Sequence, residues 1–92
     1  MGEMAGLSAT VHGRVQGVSF RSFVADMATK LDLSGYACNM PDGTVKIEAE
    51  GGKEKLEELL QHLKRGPRMA LVNGVNATWS RCENRLSGFR TL

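Results

Sequence analysis

Residues 7–31 read LSATVHGRVQGVSFRSFVADMATKL, and the apolar period changes inside them. Leu7, Ala9, Val11, Gly13 and Val15 alternate with Ser8, Thr10 and His12. A period of two marks a strand with one buried face, because successive side chains of a pleated strand point to opposite sides. From Phe20 the apolar residues Phe20, Phe23, Val24, Met27, Ala28 and Leu31 fall at i, i+3, i+4, i+7, i+8 and i+11. That spacing draws a single stripe along an amphipathic helix. A strand therefore runs into a helix through a short junction that contains Gly13 and Gly17.

The chain on either side completes the architecture. Ser34-Gly35 is expected to end the helical segment, and Tyr36 to Met40 is short enough for a strand. Pro41-Asp42-Gly43 carries turn chemistry: Pro fixes φ, Asp bonds its own backbone and Gly accepts the left-handed position. Val45, Ile47 and Ala49 alternate with Lys46, Glu48 and Glu50, which predicts the second strand of a hairpin, broken at Gly51-Gly52. Leu56, Leu59, Leu60 and Leu63 form a second helical stripe, stopped by Gly66-Pro67 after the basic last turn His62, Lys64 and Arg65. Val72, Val75, Ala77 and Trp79 predict a further strand, irregular around Asn73-Gly74, and Phe89 to Leu92 a short terminal one. The order is βαββαβ with a fifth strand. This predicts a ferredoxin-like α+β sandwich, with two helices on one face of a mainly antiparallel four- to five-stranded sheet. Such a fold hosts many functions, so it leaves the activity open.

Composition narrows the classes. The chain has 92 residues, which is one small domain, 1–92. Twelve Lys and Arg against ten Asp and Glu give a net charge of +2, too little to argue for a nucleic-acid partner. Aromatic residues are 5% of the chain and the first strand has none, which disfavours an RNA-binding sheet that stacks bases. No apolar run approaches the ~20 residues of a membrane span. The stretch Met1-Gly2-Glu3-Met4-Ala5-Gly6 does not resemble a secretory signal, so a cytoplasmic address is expected, and a compact monomer is the default expectation for a chain of this size. Cys38 and Cys82 lie 44 positions apart and His12 and His62 are isolated from them. Neither a disulfide framework nor a metal-ligand cluster is expected, and the two cysteines are read as free thiols. The five methionines read as core filler.

The chemistry is sought in the junction Gly13-Arg14-Val15-Gln16-Gly17-Val18-Ser19-Phe20-Arg21. Its two glycines let the backbone turn tightly and direct N–H groups toward one point. The helix begins there too, with unpaired N–H groups and the positive end of its dipole. Such a junction suits an anion, phosphate above all, and Arg21 adds a planar fork for phosphate oxygens. The phosphate loop G-x-x-x-x-G-K-[ST] is absent, and the glycines lie four apart rather than in G-x-G-x-x-G. Nucleotide-dependent chemistry is thereby disfavoured. A solvated first-turn Arg on a common glycine turn is the plainer alternative.

The string itself says more. Gly13 to Arg21 resembles the acylphosphatase motif, in which G-R-V-Q-G-V precedes a variable residue, an aromatic and an Arg. Gly35-Tyr36-Ala37-Cys38-Asn39-Met40-Pro41-Asp42-Gly43-Thr44-Val45, closing with Glu50-Gly51, resembles that family's second block, G-[aromatic]-x-x-N-x-x-D-G-x-V. Gly66-Pro67-x-x-Ala70-x-Val72 and Gly88-Phe89 extend the similarity over essentially the whole chain. The resemblance implies an enzyme that hydrolyses the carboxyl–phosphate anhydride of small acyl phosphates without metal or cofactor, with inorganic phosphate as product and inhibitor. It implies that Arg21 binds the substrate phosphate and that Asn39 orients the attacking water. It also implies that the backbone of Val15, Gln16, Gly17, Val18, Ser19 and Phe20 cradles the phosphoryl group.

Two positions depart from the commonest form of that family. Ser19 stands where Gly or an aromatic is frequent; its hydroxyl is expected to cap the helix rather than to touch the anion. Cys38 stands where a basic residue often occurs; alternation turns it to the face opposite Asn39, where packing is its expected role. A non-catalytic anion-binding module on the same scaffold is the alternative function, and it would need Arg21 and the loop but not Asn39.

Overall fold

The computed structural model describes residues 2–92; Met1, which opens both the N-terminal stretch and the 1–92 domain read above, lies outside the described residues. The element order is β1 (Met4–Arg14), α1 (Phe20–Lys30), β2 (Ser34–Asn39), β3 (Val45–Gly52), α2 (Lys53–Arg65), β4 (Leu71–Ser80) and β5 (Phe89–Thr91). The strands form one sheet in the order β4-β1-β3-β2-β5. β1 pairs antiparallel with β3 and β4, β2 pairs antiparallel with β3, and β5 alone is parallel, along β2. The predicted ferredoxin-like sandwich is the fold of the chain, with the terminal strand added at one edge.

Alternation decides which face is covered. Leu7, Ala9 and Val11 of β1, Ala37 of β2, and Val45, Ile47 and Ala49 of β3 are buried, while Ser8, Thr10 and His12, Tyr36 and Cys38, and Lys46, Glu48 and Glu50 beside them are half-exposed. The helices close this face with Phe20, Val24 and Ala28 from α1 and Leu56, Leu59 and Leu63 from α2. Phe23 packs edge-on against the His62 ring, with centroids 6.4 Å apart, and so ties the two helices together. Burying each large aliphatic or Phe side chain is worth about 1.5–3 kcal/mol, so this one layer supplies most of what holds a chain of this size.

Several predicted boundaries move. β1 begins at Met4 rather than Leu7, because Met4 and Ala5 pair with Gly52 and Gly51. Gly51-Gly52 therefore extends β3 instead of breaking it, and α2 starts at the next residue. Ser34-Gly35 likewise opens β2; the first helix ends earlier, where Asp32 takes a φ of 59°. The expected irregularity around Asn73-Gly74 is present as a register shift, His12 pairing with Gly74 and Gly13 with Val72. Met4 and Met69 are exposed, so those two methionines fill no core.

Candidate functional site

The junction between β1 and α1 spans residues 15–19 and its two glycines serve different ends. Gly13 belongs to β1 and sits at the register shift, where a Cβ would come within 2.1 Å of the Leu71 carbonyl oxygen. It is needed because β4 passes too close for a side chain. Gly17 faces open space with a φ of 74°, a left-handed conformation that glycine adopts without penalty. Ser19 is left-handed too, at φ 63° and ψ 27°, while Gln16 and Val18 keep negative φ. Backbone that alternates in this way turns successive N–H groups to one side and forms an anion-binding concavity. Among the described residues, the backbone N–H groups of residues 16–22 donate to no carbonyl in the turn and cap hydrogen bonds.

This concavity forms one wall of a cleft of about 370 Å³. Val15, Gly17, Ser19, Phe20, Arg21 and Ser22 line it from the loop and the first turn of α1, Asn39 from the end of β2, and Thr91 from β5. Arg21 and Asn39, eighteen positions apart in sequence, thus meet at one opening. The topology explains the meeting: α1 crosses over the sheet and returns the chain along β2, whose last residue reaches the same end as the start of α1.

Each wall is held by a named contact. Gln16 reaches away from the cleft and donates from Nε2 to the carbonyl oxygens of Met40 (2.8 Å) and Thr44 (3.0 Å). It therefore fastens the loop to the β2–β3 turn beside Asn39. That turn is stiffened by Asp42, whose Oδ1 accepts from the Thr44 amide (3.0 Å) and the Thr44 hydroxyl (2.6 Å). These hydrogen bonds, the hydroxyl's first, hold the Asp42 carboxyl below its ordinary value of 3.8. Val18 packs against the hydrophobic core. Arg21 donates from Nη1 to the Leu92 carbonyl oxygen at 2.5 Å.

Of the residues predicted for phosphate binding, Val15, Gly17, Ser19, Phe20 and Arg21 line the cleft, with the catalytic candidate Asn39 across from them. Gln16 and Val18 sit in the same loop with side chains engaged elsewhere. Ser19 does not cap α1 through its side chain. A capping residue needs extended backbone for its oxygen to reach the second or third helical N–H, and the left-handed backbone at Ser19 turns it away. Its carbonyl instead accepts from Phe23 N–H at 3.0 Å. Cys38 does lie opposite the core face, but it packs into no core: it is half-exposed on the helix-free side, its thiol directed at the Asn39 carbonyl oxygen (3.4 Å). Ser22 and Thr91 line the cleft as well. Nothing in the local pattern marks Thr91, which arrives through a strand at the far end of the chain. His12 faces the helix-free side, within 3.2 Å of Asn76 Nδ2, and does not line the cleft.

Known proteins share both the sequence and the shape. Residues 7–91 match the family model described as Acylphosphatase. A protein of Thermus thermophilus named acylphosphatase is 54% identical over 86 residues, which span 94% of this chain and 97% of that one. One from Salinibacter ruber is 44% identical over 84 residues, covering 91% of this chain and 88% of its own length. The crystal structure of the Bacillus subtilis acylphosphatase superposes with a TM-score of 0.92 at 35% identity, covering 96% of this chain and 98% of that one.

Proposed function

Because the chain belongs to the acylphosphatase family and is an enzyme acting on acyl phosphates, we propose that it works without metal or cofactor, Arg21 and the 15–20 loop holding the phosphoryl group and Asn39 holding the water. The observation that carries this reading is the single cleft shared by the loop, Arg21 and Asn39. An acyl phosphate has a carboxylate leaving group, which departs without prior protonation. Positioning and charge stabilisation therefore suffice for the reaction.

In the proposed step, a water oxygen attacks phosphorus in line with the departing carboxylate. The new P–O bond forms as the bond to the acyl oxygen breaks, and that electron pair leaves on the carboxylate. The water proton passes to a phosphoryl oxygen of the substrate, which yields dihydrogen phosphate. Backbone N–H groups and the Arg21 guanidinium stabilise the equatorial oxygens, where negative charge concentrates. The Asn39 carboxamide both accepts from and donates to a water, so it can fix that water's orientation without titrating. Inorganic phosphate, which offers the same oxygens, is a competitive inhibitor in this reading. Residues 1–92 act as a single monomeric domain in the cytoplasm.

The experiment is hydrolysis of benzoyl phosphate in excess EDTA by the wild type, Arg21→Ala and Asn39→Ala. EDTA-resistant turnover, lost in both variants, is expected. Asn39→Ala is expected to keep its inhibition by inorganic phosphate while kcat falls about 10²–10³-fold, the loss typical of one well-placed polar partner of a transition state. Turnover abolished by EDTA and restored by a divalent cation would overturn the metal-free mechanism. Near-normal kcat in Asn39→Ala would overturn the role given to that residue.

A further inference from the structure

The cleft is completed by β5, a strand of three residues at the sheet edge. It carries Thr91 into the cleft, and the next residue, Leu92, offers the carbonyl that accepts from Arg21. Phe89 packs against the hydrophobic core, but beyond it little of its own holds this strand in place: Arg90 and Thr91 are exposed, and Phe89, Arg90 and Thr91 pair with Gly35, Tyr36 and Ala37. Gly35 N–H donates to Gly88 O (2.8 Å) and Leu92 N–H to Ala37 O (2.9 Å).

β4 and β5 occupy opposite edges of the sheet, so the segment 81–88 between them must cross three strands. At the usual spacing that is a span of about 19 Å, against a reach of about 27 Å for eight extended residues. The strap crosses the helix-free face, and a carboxylate stands under its middle. Glu50 of β3 accepts from the Glu83 amide through Oε2 (2.9 Å) and from the Leu86 amide through Oε1 (3.3 Å). One side chain thus grips the strap at two points, with both acceptors charged and therefore stronger than neutral ones.

We infer that Glu50 is a positioning residue for the phosphate site: by pinning the 81–88 strap it fixes β5, and through the Leu92 carbonyl it fixes the guanidinium of Arg21. Glu50 does not line the cleft. The inference rests on Arg21 being the phosphate-binding arginine. If the strap is released, β5 loosens from β2 and Arg21 loses its acceptor. Substrate and inorganic phosphate then bind less tightly, while Asn39, fastened separately through the β2–β3 turn, keeps its place.

The test is Glu50→Ala and Glu50→Gln, with Arg21→Ala alongside, read by steady-state kinetics with benzoyl phosphate, inhibition by inorganic phosphate and amide hydrogen exchange. KM and the phosphate inhibition constant are expected to rise together about tenfold in Glu50→Ala with kcat within about threefold, the signature of lost binding rather than lost chemistry. Exchange at the Gly35 and Leu92 amides accelerates while the β1–β3 amides stay protected. Glu50→Gln, which keeps one acceptor oxygen, recovers part of the loss and serves as the readable variant if the alanine form does not fold. A purely structural role lowers the folded fraction, and so the apparent kcat, but leaves KM and the inhibition constant unchanged; that result overturns the inference. Kinetic loss without faster exchange in β5 overturns it as well. Full activity in Arg21→Ala would sink the arginine assignment itself, whereas Arg21-dependent activity indifferent to Glu50 sinks only the strap.

Discussion

Arg21→Ala is the perturbation whose size the structure lets us work out. Arg21 is half-buried in the first turn of α1 and already spends one Nη1 donor on the Leu92 carbonyl (2.5 Å). A guanidinium has five N–H donors in a planar fork, so enough remain for two phosphoryl oxygens. Two charge-assisted hydrogen bonds at about 1.5–3 kcal/mol each come to about 3–6 kcal/mol. At 1.36 kcal/mol per factor of ten, kcat/KM is expected to fall about 10²–10⁴-fold. The fold loses far less. The deleted contact is a single hydrogen bond at an exposed carbonyl, so stability drops by about 1 kcal/mol and Tm by about 4–8 °C for a domain of this size.

The assay is initial rates of acyl phosphate hydrolysis at fixed ionic strength, paired with circular dichroism at the same temperature. Arg21→Lys separates charge from shape. A compact ammonium keeps the positive charge but cannot fork between two phosphate oxygens while donating to Leu92, so intermediate activity is expected. A kcat/KM within about threefold of wild type in Arg21→Ala would refute the reasoning, because no pair of charged hydrogen bonds is that weak. So would a loss of activity that merely follows the loss of the circular dichroism signal.

Further outcomes are open to direct measurement. Ser19→Gly is expected to raise Tm by a few degrees, since left-handed backbone costs an L-residue about 1–2 kcal/mol and the glycine's extra unfolded-state freedom returns only part of that; an unchanged or lowered Tm would mean that the Ser19 hydroxyl makes a compensating contact. Gly13→Ala is expected to destabilise by at least about 2 kcal/mol, because its Cβ would meet β4 backbone rather than a movable side chain; chemical denaturation reads this, and a loss below about 0.5 kcal/mol contradicts the register shift. Carboxyl titration by NMR should place Asp42 below 3.8. Since the folded state favours its charged form, the stability it lends is complete above its unfolded value and disappears as pH falls through the lower folded value. Asp42→Asn should therefore flatten that part of the acid limb, and an Asp42 value at or above 3.8 would remove the argument.

What could be read from the sequence divides along a physical line. The stripes Phe20–Val24–Ala28 and Leu56–Leu59–Leu63, and the alternation of β1 and β3, were legible because burial repeats with the local geometry of the backbone. Gly17 was legible in the same sense: its left-handed turn needs nothing from elsewhere in the chain. Ser34-Gly35 and Gly51-Gly52 misled because a glycine reads the same at a turn as inside a strand crowded by its neighbours. Only the pairing partner decides, and for Gly51 that partner is Ala5, forty-six positions away. Gln16 belongs to this second kind: its motif position suggested a loop residue, but not the two carbonyls it holds across the hairpin.

The cleft combines both kinds of information, and that bears on how it can fail. The part proposed to face the anion is local, built from residues 15–21 within one strand-to-helix junction. Asn39 and Thr91 come from other strands; Phe89 anchors the strand of Thr91 to the core, and the Gln16, Glu50 and Arg21 hydrogen bonds that tie the rest lie outside it. Substitutions in the core layer should therefore lower stability and leave the catalytic constants of the folded fraction unchanged. Substitutions in these polar ties should do the reverse. Leu59→Ala, a fully buried change costing about 2–5 kcal/mol, provides the contrast. Below its lowered Tm it should keep wild-type KM, while Gln16→Ala should lose kcat with only a modest change in Tm, because the hairpin that carries Asn39 is no longer fastened to the loop. If Leu59→Ala shifted KM as far as Gln16→Ala shifted kcat, the cleft would depend on the core's packing rather than on its own ties.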